Sequence, residues 1–327
     1  MSISRSLCLS ALLALLVLPG CARQKSAVHL EPEQAVELAD TPFYPQSKYQ
    51  CGPASLAMLL GASGAVVDPL DLVSSVYLPG RRGSLQLELI SASRRHGRIP
   101  YTIDGDVSAI VSELRSGRPV LVLQNLGLTI IPAYHYAVVI GAVPPDKIVL
   151  RSGITRRLLV DIDHFLATWR RTGSWGMILL NPGELPANPD PVRYLDAVNG
   201  FEISGQTVSA EPAYRTARLA WPDNQTVLFA LGNNLLLQAR YREAGSAFRE
   251  LLAINPEHVA AANNLAEVLL RQGCYLQAQA VIGQAVETAA RINSPLTPTI
   301  LETQQQIGET LDRTRSGEKQ ECADDTG

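Results

Sequence analysis

Cys51 is the side chain in this sequence best equipped for nucleophilic chemistry. It stands in TPFYPQSKYQCGPASLAMLLGASG (41–64), directly before Gly52 and Pro53 and the apolar run Ala54 to Leu60, which Gly61 and Gly64 close. Proline is tolerated in the first turn of a helix, so the spacing predicts a helix from Gly52 to Leu60 with Cys51 at its N-terminus. Free backbone N–H groups and the positive end of the helix dipole favour thiolate over thiol there, which is what a cysteine nucleophile needs. A lone cysteine is otherwise a buried structural thiol, so a base must be found. Of the five histidines, His29, His96, His164 and His258 fall in polar or charged surroundings, whereas His135 opens YHYAVVIG (134–141), an aromatic and β-branched run that reads as a buried strand. A histidine at the start of such a strand is held rigidly enough to act as general base.

Gln46, then Cys51-Gly52-Pro53-Ala54-Ser55-Leu56-Ala57-Met58, and later His135-Tyr136-Ala137-Val138-Val139 with Gly141, resemble the double-glycine-leader (bacteriocin-processing) cysteine peptidases, family thirty-nine, which have a papain-like fold. The resemblance spans about residues 38 to 182. It implies that Cys51 attacks, that His135 is the base, and that the Gln46 amide joins the Cys51 backbone N–H in an oxyanion hole, with Gln50 a weaker candidate for that donor. That family usually carries Asp-Pro after the histidine strand, and the carboxylate orients the imidazole. Here Arg151-Ser152-Gly153 occupies the place. Ser152 is the substitute orienter, although a hydroxyl bonds more weakly than a carboxylate. Asp146, Asp161, Asp163, Asp104 and Asp106 are the alternative carboxylates, at less suitable spacings.

The elements that would position these residues fit an α+β domain. Helices are predicted at Gly52 to Leu60, Leu70 to Val76, Leu85 to Arg95, Val107 to Arg115 and Phe165 to Trp169. Strands are predicted at Pro100 to Ile103, Pro119 to Asn125, Tyr134 to Val143, Lys147 to Leu150 and Trp175 to Leu180, with a turn at Pro144-Pro145-Asp146.

Pro182, Pro186, Pro189 and Pro191 mark a linker at 183–190. Beyond it a period of about 34 residues sets in. Leu228, Leu231, Gly232, Leu235, Ala244, Phe248, Leu251 and Pro256 occupy the spacing of a tetratricopeptide repeat in 225–258. Ala262, Leu265, Ala266, Leu269, Ala278, Ile282 and Ala285 repeat it in 259–292. Tyr194, Ala197, Phe201, Ala210, Tyr214, Ala217 and Pro222 do so more weakly in 191–224. A closing helix is expected over 299–313 and a polar tail over 314–327, which makes residues 191–313 an all-α solenoid whose groove takes a protein or peptide.

Residues 1–20 carry Arg5 and then an apolar run from Leu7 to Leu18, about twelve residues where a spanning helix needs about 20. They end in Leu18-Pro19-Gly20-Cys21, which resembles a bacterial lipobox and implies a signal peptide, a lipidated Cys21 and a tether over 21–37. Ala22 in place of Asp resembles outer-membrane sorting, so the chain is expected in the cell envelope, facing the periplasm. Cys51, Cys274 and Cys322 then remain as thiols in an oxidising compartment, too few for a disulfide framework, with Cys274 and Cys322 able to pair.

With 28 Lys+Arg against 31 Asp+Glu, the net charge of -3 supplies no broad field for nucleic acid. No Cys or His pairs occur at metal-ligand spacing and no Gly-rich phosphate loop is present, so neither metal nor cofactor is expected. The combined expectation is a lipid-anchored cysteine peptidase whose repeats recruit a protein substrate. The rivals are a catalytically inactive envelope adaptor and a cell-wall amide hydrolase.

Overall fold

The computed structural model of the chain describes residues 28–46, 50–81 and 83–314. The signal peptide, Cys21 and the polar tail with Cys322 lie outside the described residues.

A short strand β1 (Val36–Glu37) precedes α1 (Cys51–Ala62). From Gly52 to Leu60 every residue of α1 is buried, as befits a helix apolar on all sides. There follow α2 (Pro69–Val76), capped by the Asp68 carboxylate, α3 (Gln86–Arg95), β2 (Ile99–Thr102) and α4 (Val107–Arg115). The remaining strands are β3 (Val120–Asn125), β4 (Tyr134–Val143), β5 (Lys147–Ser152), β6 (Thr155–Asp161) and β7 (Gly176–Leu180), with α5 (Ile162–Trp169) between the last two.

The strands form one antiparallel sheet in the order β2-β7-β3-β4-β5-β6, and β1 pairs with the far end of β4 through Val36 and Ala142. Alternation along β4 separates two cores. Tyr136, Val138 and Ile140 pack with α1, α2 and α3, whereas Ala137, Val139 and Ala142 pack with α4 and α5. The domain is therefore α+β, with helices on both faces of an antiparallel sheet.

Strands β1 and β6 were not expected from the sequence, and several other elements differ from the expectation in their bounds. The run TRRLLVD forms β6, which exposes Thr155, Arg156, Arg157 and Asp161 along with Leu159, so the mixture hid the strand pattern. α5 starts at Ile162, three residues before the predicted Phe165. β5 also extends to Ser152, past the predicted Leu150.

From residue 191 onward the described chain is helical: α6 (Pro191–Glu202), α7 (Thr207–Ala220), α8 (Gln225–Leu237), α9 (Tyr241–Ile254), α10 (Val259–Arg271), α11 (Tyr275–Arg291) and α12 (Thr297–Thr314). The repeat-phase residues turn inward. Phe201, Tyr214, Leu228, Phe248, Ala266 and Ile282 are all fully buried, while Ala197 is only partly so. Gly232 is required by close approach, because a Cβ there would sit 2.5 Å from the Phe248 ring.

The segment before α6 is packed, not loose. The Ala187 N–H donates to Glu113 at 2.7 Å, Thr216 Oγ1 donates to the Gly183 carbonyl at 3.0 Å, and the Tyr194 hydroxyl donates to the Glu184 carbonyl at 3.0 Å. α6 itself lies against β2, where Arg193 pairs with Asp104 at 2.8 Å and reaches the Thr102 carbonyl at 3.4 Å. Cys274 is disulfide-bonded, and Cys51 is free. Among the described residues no helix is long and apolar enough to cross a membrane.

Candidate active site

Cys51 is the first residue of α1 and is half-buried. The next residue is glycine for a packing reason: a Cβ on Gly52 would collide with the Ser84 side chain, which leads into α3. α1 is thus set tightly against the chain that precedes α3.

His135 is the second residue of β4, in register with Gln124 of β3. β4 overhangs β5 here, because their pairing begins only at Val138 and Arg151. The Tyr136 carbonyl is taken instead by α1: Ser55 Oγ, one turn beyond Cys51, donates to it at 3.3 Å. This bond brings the N-terminal turn of α1 to the same corner of the sheet as His135.

The imidazole Nε2 and the Ser152 hydroxyl are 2.9 Å apart. That leaves Nδ1 as the ring nitrogen for a thiol proton. Burial holds His135 below its ordinary value of 6.5, which favours the neutral ring, the form a general base requires. Among the described residues no hydrogen bond joins the Cys51 thiol to His135. Such contacts commonly tighten only when substrate is bound.

Gln46 closes the arrangement. Its backbone N–H donates to the Gly153 carbonyl at 3.0 Å, and its side-chain Oε1 accepts the Gly153 N–H at 3.2 Å. Its Nε2 donates to Ser55 Oγ at 3.1 Å. Because Oε1 faces an N–H donor, the amide is oriented with its NH₂ toward α1, and Ser55 uses one of the two hydrogens. Gln50 is the residue before α1, and its carbonyl accepts from Ala54 at 3.2 Å.

The Arg151-Ser152-Gly153 stretch, which replaces the expected carboxylate, is where these bonds converge. Arg151 is 2% exposed and donates to the carbonyls of Ala39 and Thr41 at 2.8 and 3.0 Å, pinning the segment that carries Gln46. Ser152 meets His135 and Gly153 meets Gln46. Gly153 has φ of +58°, a conformation that glycine adopts without cost.

The other carboxylates are engaged elsewhere. Asp146 and Asp161 pair with Lys147, Asp104 pairs with Arg193, and Asp106 caps α4 by accepting from Ala109. Asp163 lies in the first turn of α5. None is hydrogen-bonded to His135 among the described residues. His258 caps α10 by accepting from the Ala261 N–H at 3.1 Å, and His96 ends α3.

Sequence reasoning missed Ser55, Tyr136, Ser84 and Glu88. The Tyr136 hydroxyl donates to the Ser84 carbonyl at 3.3 Å, and its ring meets Trp175 edge-on at 6.1 Å. Burial first, and then the neighbouring Cys51 and Glu88 charges, push that hydroxyl far above the usual tyrosine range. Ser84 Oγ and Glu88 Oε2 are buried with no hydrogen-bond partner among the described residues. A serine one turn beyond Cys51 in the same helix was the available signal for Ser55; the other three had none.

Residues 38–174 match the Peptidase_C39 like family, and residues 235–293 match the tetratricopeptide repeat. No curated protein matches the chain. Solved structures similar to it include the TPR2B domain of yeast Sti1 in a pHsp70 complex, 14% identical, covering 37% of this chain and 97% of that one with a TM-score of 0.35. The Yersinia enterocolitica type III secretion translocator chaperone SycD is 16% identical, covering 37% and 85% with a TM-score of 0.35. The Sgt2 TPR domain from Aspergillus fumigatus is 16% identical, covering 43% and 93%, also with a TM-score of 0.35. The chain carries a Peptidase_C39-like domain followed by a tetratricopeptide-repeat region.

Proposed function

We propose that the protein is a lipid-anchored cysteine peptidase that hydrolyses a peptide bond in a protein substrate recruited by its repeats. The observation that carries the reading is the bond between His135 Nε2 and Ser152, at the corner where Ser55 and Gln46 tie the N-terminal turn of α1 to the β5–β6 turn.

In this reading Nδ1 of His135 takes the Cys51 thiol proton, and the thiolate attacks the substrate carbonyl carbon. The Cys51 backbone N–H and the second hydrogen of the Gln46 amide stabilise the oxyanion. His135 returns the proton to the leaving amine, which leaves a thioester on Cys51, and water attacks that thioester by the same route in reverse. Ser152 fixes the imidazole in place of a carboxylate. Its hydroxyl is uncharged, so it stabilises the imidazolium less, and a modest turnover is expected.

The anchor and location rest on the lipobox-like Leu18-Pro19-Gly20-Cys21. The chain divides into a signal peptide (1–20), a tether (21–37), the catalytic domain (38–182), a linker (183–190) and the repeats (191–313). A stacked helical array presents a groove and supplies no chemistry, so the repeats bind and the first domain reacts.

Labelling with a small thiol-directed probe tests the catalytic claim. Wild type is expected to label at Cys51, with labelling lost in Cys51→Ala and slowed at least tenfold in His135→Ala. Labelling at equal rates in wild type and His135→Ala would instead favour a binding adaptor without catalysis. Incubation with peptide libraries and with cell-wall fragments separates the peptidase from an amide hydrolase of the wall. Mass spectrometry of the mature N-terminus tests lipidation of Cys21.

A further inference from the structure

Leu126, Leu128, Ile130 and Ile131, in the loop that leads from β3 to β4, and Tyr134, the first residue of β4, are between 53% and 84% exposed. Residues 126–134 contain no charged side chain. A cluster of large exposed apolar groups of this kind marks an interaction surface, because scattered single residues are the ordinary case.

The loop is built to hold that display. Asn125 Oδ1 accepts the N–H groups of Gly127 and Ala133 at 3.0 and 2.9 Å, and the Leu126 N–H donates to the Ala133 carbonyl at 2.9 Å. Arg171 clamps the base from outside, donating to the carbonyls of Asn125 and Gly127 at 3.3 and 2.6 Å. A Cβ on Gly127 would run into the Ile131 carbonyl and lie 2.8 Å from the Ala133 nitrogen, so the two limbs are in close contact. The polar groups are spent on shape, and the apolar ones face solvent.

We infer that this loop is the substrate-side lip of the candidate active site and selects peptides with large apolar side chains beside the scissile bond. The inference rests on the peptidase reading and names its substrate class. The lip runs without interruption into His135, and Ile154, 82% exposed, stands two residues past Ser152 in the β5–β6 turn. A polypeptide lying over Cys51 and His135 therefore passes between two apolar flanks.

Chain geometry favours a peptide over a bilayer as the occupant. The Leu30 N–H donates to the Pro145 carbonyl at 2.9 Å, so the N-terminal segment is pinned at the opposite end of β4 from the lip. β4 has 10 residues, a length of about 30 Å. The residues from Cys21 to His29 extend at most about 30 Å. A membrane reached through Cys21 lies on the Pro145 side unless the tether is drawn out fully along the sheet.

The test compares two reagents on one thiol: iodoacetamide, and peptidyl acyloxymethyl ketones with either leucine and phenylalanine or aspartate in their side chains. Wild type is expected to react at Cys51 with the apolar ketone at least tenfold faster than with the acidic one, since each buried apolar side chain contributes about a tenfold effect. Ile130→Asp with Ile131→Asp is expected to abolish that preference and leave the iodoacetamide rate unchanged. Leu219→Asp, equally exposed on α7, is expected to change neither. A preference that survives the double substitution overturns the lip alone. Absence of selective iodoacetamide labelling at Cys51 overturns the peptidase reading and the lip with it. Loop-dependent flotation of the Cys21→Ser chain on phosphatidylethanolamine and phosphatidylglycerol vesicles overturns the peptide assignment in favour of a membrane contact.

Discussion

The bonds that assemble the candidate site join residues far apart in the chain, whereas those that join the repeats recur at nearly one spacing. Gln46 meets Gly153 across 107 residues, Ser55 meets Tyr136 across 81, and Arg151 meets Ala39 across 112. Among the repeats, Arg215 pairs with Glu243, Arg218 with Glu250, Asn264 with Asn233 and Arg291 with Glu257, at separations of 28, 32, 31 and 34 residues. The first region places a few atoms by closing long loops, so each bond there is specific and not replaceable. The second gains stability from like contacts between neighbours, so it tolerates local change and offers a surface.

The contrast can be broken by substitutions that remove chemistry without packing, or packing without chemistry. Cys51→Ala is expected to lower peptide hydrolysis by about four orders of magnitude or more with the melting transition unchanged, as followed by a fluorogenic peptide assay beside calorimetry. Phe248→Ala empties a fully buried site between α8 and α9 and is expected to cost about 3–5 kcal/mol, read by chemical denaturation. If the repeats are energetically local, Cys51 labelling by a small probe survives in that variant at denaturant concentrations that have already melted its repeats.

Ser152→Ala sharpens the comparison at smaller scale. It is expected to reduce kcat/KM about tenfold, worth about 1.4 kcal/mol, without affecting stability by more than the loss of one partly exposed hydrogen bond. The pH profile carries the sign. Burial already lowers His135 below 6.5, so the base is active above that depressed value and is lost as pH falls through it. Removing the hydroxyl withdraws an acceptor from the imidazolium, so the acid limb should move to still lower pH. A limb that moves upward would mean that Ser152 does not stabilise the charged ring. Arg218→Ala breaks a surface pair with Glu250 and is expected to change repeat stability by less than about 1 kcal/mol, with no effect on labelling at Cys51.

The two regions also differed in how much of them was legible in the sequence. The repeat helices could be read because the spacing of Leu228, Gly232, Phe248 and Ala266 recurs, and a recurring pattern requires no knowledge of distant partners. In the first region α4 and β4 were legible to the residue, since each carries its own hydrophobic period. β6 was not, because TRRLLVD lies along an open edge and exposes Leu159 among Thr155, Arg156, Arg157 and Asp161, which blurs the alternation. The site residues Cys51 and His135 could be singled out by helix-start and strand-start chemistry. Ser84 and Glu88 were invisible because their importance comes from which segment lies opposite, and local sequence does not record that, whereas Ser55 left a signal in its place one turn beyond Cys51.

The sheet's two outer strands are protected in opposite ways. β6 is bare but bears Arg156, Arg157 and Asp161, charges that discourage pairing with another chain. β2 has no charged residue; it begins Ile99-Pro100-Tyr101, and its cover is α6, with Arg193 lying over the Tyr101 ring at 5.8 Å. The first helix of the repeat region is therefore also a guard for the sheet of the peptidase-like domain. A chain ending at residue 182 would uncover an apolar strand margin, so cutting it there is expected to lower its solubility.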